Sequence, residues 1–262
     1  MYGLALFPFD VRAVHDVVGH EPTIPSRTMA RPTYPRAGEP RPAALPPGER
    51  TVGQLVAESV RFYGENFVRC LVLGVPPALL AVVTANVSRT LGLILAPTVY
   101  GALLSVSLIA ACVMVLERRP PTRRLVAAGV VGWLVFVPVP FLALAFVLPA
   151  LMWLAAVGLV VPVVVAEDLG PHDSLRRAWQ LARADYVHAV GSLATLAIVV
   201  FLTQAMLVFI LRGAGGAAID VAVILANIVI SPLLFIGTAL LYGDQAARWL
   251  EAPSAEPAAP GR

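Results

Sequence analysis

The chain contains no lysine: all 19 of its basic residues are arginine. That absence removes the P-loop lysine and with it an ATPase or GTPase reading, and neither an HExxH nor a Gly-x-Ser-x-Gly motif supplies a zinc-protease or hydrolase alternative. Charge of either sign is scarce as well. Charged residues make up 13% of the 262 positions against 58% hydrophobic, and the mean hydropathy is +0.81, which excludes a soluble domain with a charged exterior. Only two cysteines are present, Cys70 and Cys112, both in or beside apolar runs where a thiol serves as a small hydrophobe, so no disulfide is expected. The four histidines are scattered: His15 and His20 lie in an N-terminal tail, and His172 and His188 flank one short helix. Such a spread makes no metal site, and no cofactor is expected. His188 reads as a residue at the membrane border.

What is present is apolar sequence in long runs. These cover 67–88, 91–116, 125–166, 187–211 and 217–242, each at least as long as the ~20 residues that cross a bilayer as a helix. The third run has 42 residues and would extend ~63 Å as one helix, so it must fold back, with Pro138, Pro140 and Pro149 bracketing the turn. The fold class is therefore all-α: a polytopic integral membrane protein with six transmembrane helices and two cytoplasmic, interfacial amphipathic helices. Residues 1–50 form a Pro- and Arg-rich segment without a hydrophobic period, 51–250 the six-helix membrane domain, and 251–262 a tail; both end segments are expected to be disordered.

The first amphipathic helix starts at Thr51, with Gln54 placed to complete a capping box. Its apolar face carries Val52, Leu55, Val56, Val60, Tyr63 and Phe67, and Glu58, Arg61 and Glu65 can pair outside it. The second follows an apolar run that ends in Glu167 and Asp168, and is expected over 174–186 with Asp173 as its N-cap. On its wheel Leu175, Ala178, Trp179, Ala182 and Tyr186 share one face, while Arg176, Gln180 and Arg183 share another. Shifting the chain by 119 residues lays the first of these helices on the second, a weak internal echo.

Arginine placement sets the topology, because short cytoplasmic loops collect Arg. Arg118, Arg119, Arg123, Arg124, Arg176, Arg177 and Arg183 fall in the loops after spans two and four, whereas the loops after spans one and five carry only Arg89 and Arg212. Both termini are thus expected in the cytoplasm. Those seven arginines, with Trp179, are the candidates for contact with lipid headgroups of the anionic inner leaflet. Lysine-free coding points to a bacterium and so to its inner membrane. The net charge of +3 gives no reason to expect nucleic acid as a partner.

The stretch GERTVGQLVAESVRFYGENF before the first span, EDLGPHDSLRRAWQL after the fourth, and Pro232 followed by LLYGDQAARW resemble the membrane domain attached to some bacterial glycerophosphodiester phosphodiesterases, in its stand-alone actinobacterial form. The resemblance covers about 45–250 and rests most on Glu167, Gly170 and the Leu175–Trp179 run. It implies six helices; Gly64 and Glu65 depart from the basic residues of that pattern, and no soluble catalytic barrel is present, so the phosphodiesterase activity is not implied.

Within the spans Gln204 and Asn227 sit at comparable depths for an interhelical amide bond, and Asp220 is the only acid. Two functional readings stay open. One is a non-enzymatic membrane protein that associates with lipid, or assembles with a membrane partner or a second copy. The other is a transporter or permease subunit, favoured by proline-broken spans and by Gly101 and Gly237. A lipid-modifying enzyme is a third, without a nucleophile and base to support it.

Overall fold

The protein was analysed as a computed structural model, which describes residues 45–167, 169–212 and 215–251. The end segments 1–44 and 252–262, and Asp168, lie outside the described residues. Among the described residues eleven helices follow in order: α1 (Val52–Glu65), α2 (Phe67–Ala85), α3 (Arg89–Val115), α4 (Thr122–Phe136), α5 (Val139–Ala145), α6 (Val147–Val157), α7 (Val160–Ala166), α8 (Pro171–Ala184), α9 (Tyr186–Leu211), α10 (Gly216–Ile230) and α11 (Pro232–Glu251). Among the described residues there is no strand.

Among the described residues five stretches are long and apolar enough to cross a bilayer: Pro97–Val115, Thr122–Ala143, Val147–Ala166, Tyr186–Leu211 and Ala218–Glu251. A sixth exists if α2 is counted with α1, and the two are bent by 106° at Asn66, so α1 lies across the direction of α2 rather than extending it. The outer surface is apolar along these stretches, with Val68, Val72, Val187, Phe201, Met206 and Phe209 all exposed. That is the inverse of a soluble fold and suits a hydrocarbon surround. The architecture is that of a multi-pass helical membrane protein.

Local chemistry explains where the helices start and stop. Thr51 and Gln54 form the expected capping box, with the Thr51 N–H donating to Gln54 Oε1 at 2.8 Å. The 42-residue apolar run does fold back, as a hairpin in which α4 packs on α7 and α5 on α6. The reversal falls at Phe146, whose backbone is extended (φ −162°, ψ 145°), inside the bracket that the prolines set. Trp153 ties the arms together by donating to the Val135 carbonyl at 2.8 Å. The last apolar run continues beyond Tyr242 to Glu251, broken at Ser231, because Pro232 cannot donate a backbone hydrogen bond and starts a new helix instead.

The α3–α4 turn is strained at one residue. Glu117, directly after the C-cap Leu116 of α3, is in a left-handed conformation (φ 51°), a position where glycine carries no Cβ penalty and where an acid opposes the helix dipole. Glu117→Gly is expected to raise stability by about 1 kcal/mol, read as an upward shift in thermal midpoint.

Both amphipathic helices bury only part of the apolar face that their wheels show, together with residues beside it. In α1 the buried residues are Leu55 and Ser59, and Val60 faces outward. In α8 they are Ser174, Ala178, Leu181 and Ala182, whereas Leu175 and Trp179 are each 47% exposed. The reason is steric. Helices approach most closely over small residues, and in an apolar surround a large side chain can be satisfied facing out. Gly237 on α11 shows the fit, since a Cβ there would lie 3.2 Å from Ser59 Oγ and would collide with Leu196 of α9.

Candidate functional site

The structure brings residues 45–50, α8, the start of α9 and the end of α11 together. Helix α8 begins earlier than expected, with Gly170 as N-cap and Pro171 at the first helical position, so Asp173 sits inside the first turn and makes no cap bond. It still faces the positive end of the helix dipole. Asp185, after α8, is the residue that caps: its Oδ1 accepts from the His188 N–H of α9 at 3.0 Å.

The eight headgroup candidates divide by environment. Arg118 and Arg119 are exposed in the α3–α4 turn, Arg123 is exposed on the first turn of α4, and Arg124 is half-buried beside it. Arg176 is exposed on α8. Arg183 is also exposed, its guanidinium carbon 5.7 Å from the centre of the Trp179 ring, close enough for a cation–π contact. Arg177 instead turns inward. Its Nε lies 3.3 Å from both oxygens of Glu167, and its guanidinium stacks 4.0 Å above the Trp249 ring. Tyr242 completes that cluster by donating to Glu167 Oε1 at 3.0 Å, and Arg118 is within electrostatic reach of the same tyrosine. Arg177 therefore ties α7, α8 and α11 together, and the outward arginines of α8 are Arg176 and Arg183.

Sequence reasoning missed a second polar cluster, centred on Asp244. This carboxylate is fully buried near the end of α11. Its Oδ1 accepts from the Gly48 N–H at 2.8 Å and its Oδ2 from Arg248 Nε at 3.1 Å. His188 Nε2 lies 2.9 Å from Oδ2, in ion-pair range but not aligned as a hydrogen bond. Arg248 reaches further, donating to Asp185 Oδ2 at 3.0 Å and to the Arg50 carbonyl at 2.6 Å, while Gln245 donates to the Asp185 carbonyl at 3.0 Å. His188 is thus a buried member of a clasp at the start of α9. Residues 45–50, assigned to the tail for want of a hydrophobic period, are held through their backbone by Asp244 and Arg248. The only local signal was Asp244 and Arg248 at helical spacing; their partners are some sixty and two hundred residues away in sequence.

Other expectations within the spans also shift. Asn227 donates to the Val223 carbonyl of its own helix at 2.8 Å, not to Gln204. Gln204 lines a cavity of about 340 Å³ between α9 and α10, with Arg212 at its edge. Asp220 is exposed. Gly101 and Gly237 are packing positions, set against Trp133 and Leu196. Among the described residues no three of His, Cys, Asp or Glu are grouped to hold a metal ion.

Compared with known proteins, the chain matches no family model, no curated protein and no solved structure.

Proposed function

We propose that this is a non-enzymatic, six-span protein of a bacterial inner membrane that associates with the anionic lipid of the cytoplasmic leaflet. In this reading α2 is the first span, both termini are cytoplasmic, and α1 and α8 lie in the interface. One observation carries it. The apolar face of α8 extends beyond its packed line: Ala178, Leu181 and Ala182 pack inward, while Leu175 and Trp179 at its edge are exposed beside Arg176 and Arg183. An exposed tryptophan and leucine flanked by two arginines suit a helix lying at headgroup depth. Val60 of α1 repeats the arrangement, and the 106° bend at Asn66 is what a helix in the membrane plane needs before a span. The same pattern, an amphipathic helix before the first span and another after the fourth, underlies the resemblance to the phosphodiesterase-associated membrane domain. Assembly with a membrane partner or a second copy is compatible with this reading.

Transport is the second reading, and the cavity beside Gln204 and Arg212 is what speaks for it. The central cavity between the hairpin, α9 and α11 holds about 50 Å³ and is lined by Leu108, Phe136, Leu193 and other apolar groups, which favours a packed bundle over a polar path. Reporter fusions check the topology: one after Arg183 is expected to read cytoplasmic and one after Arg212 external. An external signal at Arg183 overturns the six-span arrangement.

A further inference from the structure

We infer that the groove between α2, α3 and α4 is a specific site for one anionic phospholipid, with Arg69 on its phosphate and an acyl chain along the groove floor. The inference rests on the reading above that this end of the bundle meets the cytoplasmic leaflet. The groove is open and holds about 740 Å³, within the ~300–1,000 Å³ of small-molecule sites. Its walls are apolar, from Val72 on α2, Ile109 and Val113 on α3 and Val126 on α4, and Gly129 leaves its floor low. Arg69 is the charged member of the lining.

Arg69 is an unusual cation. It occupies the third position of α2, where the positive end of the helix dipole disfavours it, and that first turn contains no acid and no side-chain cap. It is exposed, and among the described residues it has no hydrogen bond or ion pair. An arginine at the rim of an apolar groove, at the end of a span, calls for an anion that itself carries an apolar body. A phospholipid phosphate supplies a bidentate partner for the guanidinium, and its chain fills the concavity below. Basic pockets between spans on the cytoplasmic side are a recurrent way to hold anionic headgroups.

The groove can be blocked without touching the packing. A Cβ on Gly129 would have only Ile109 Cδ1 near it, at 4.0 Å, so Gly129→Leu projects into the space the chain would take. The test is native mass spectrometry of the full chain in mild detergent, titrated with palmitoyl-oleoyl phosphatidylglycerol or phosphatidylcholine. The wild type is expected to retain one phosphatidylglycerol and to hold phosphatidylcholine less well. Arg69→Gln should weaken phosphatidylglycerol retention about tenfold, and Gly129→Leu should abolish it while the thermal midpoint stays unchanged. Glycerol phosphate added in excess should not displace the lipid; if it does, the headgroup alone is recognised and the groove is not the site. Equal retention by wild type and both variants also overturns the inference, and with the Arg183 fusion still cytoplasmic it leaves the interfacial reading standing. A fusion that reads external fails that reading by itself.

Discussion

Gly74→Val is expected to unfold the α2–α10 contact and to lower stability by at least about 3 kcal/mol, the upper end of what overpacking costs when a side chain can move aside. Here nothing can move aside. A Cβ on Gly74 would lie 2.5 Å from Ile228 Cα and 2.6 Å from the Asn227 carbonyl oxygen, and it would collide with the Ile228 carbonyl. All three are backbone atoms of α10, so the helix as a whole must retreat. The close approach has its own chemistry. Pro232 cannot donate to the Ile228 carbonyl, which is left facing Gly74, where a Cα–H can approach it. Thiol-reactive dye release on heating is a suitable readout, because Cys70 and Cys112 are buried and react only when the bundle opens. Gly64→Val is the control, with nothing near its would-be Cβ, and should leave that transition in place.

Asp244→Ala has the second large expected effect. Removing a buried carboxylate strands its partners, and breaking a buried pair costs about 3–5 kcal/mol because the remaining charge stays desolvated. The Gly48 N–H, Arg248 Nε and His188 all lose an acceptor or counter-charge together. Asp244→Asn keeps the shape and one acceptor, so it should lose less than the alanine variant. Arg248→Ala should couple to Asp244→Ala: the double variant is expected to lose less than the sum of the two single losses, since each single change leaves the other group unpaired. Additive losses, measured by the same thermal transition, would mean that the clasp does not act as a unit.

The range of the forces decides which features are legible in the sequence. Hydrophobic runs mark the spans, and a 42-residue run had to turn because no bilayer is that thick; local pairs such as Thr51 and Gln54 mark where helices begin. Which side of an amphipathic helix packs inward was not legible. In water apolar means buried, but beside lipid an apolar side chain is content on either side, and small residues can join Leu55 and Leu181 on the buried line. Ser59 and Ser174 are buried while Val60 and Trp179 are not. The Asp244 clasp was hidden for a different reason: it joins Gly48, Asp185 and Arg248 across the whole length of the chain, and no window of sequence contains it. Arg177 read as a lipid-facing cation because its wheel position could not reveal Glu167 and Trp249 waiting for it.

The depth of α8 separates a helix at the membrane surface from one in water. A nitroxide attached at Leu175→Cys reports it directly, next to Trp179 on the same outward side, while Cys70 and Cys112 are buried and escape labelling. In vesicles containing phosphatidylglycerol, collision rates with oxygen and with a water-soluble nickel chelate give the distance from the surface. The expected result is a label shielded from nickel and open to oxygen, roughly 5–10 Å below the phosphates, the depth at which interfacial helices bury their apolar side. Nickel accessibility at Leu175→Cys equal to that of a free water-soluble nitroxide would place α8 in water and contradict the proposed function.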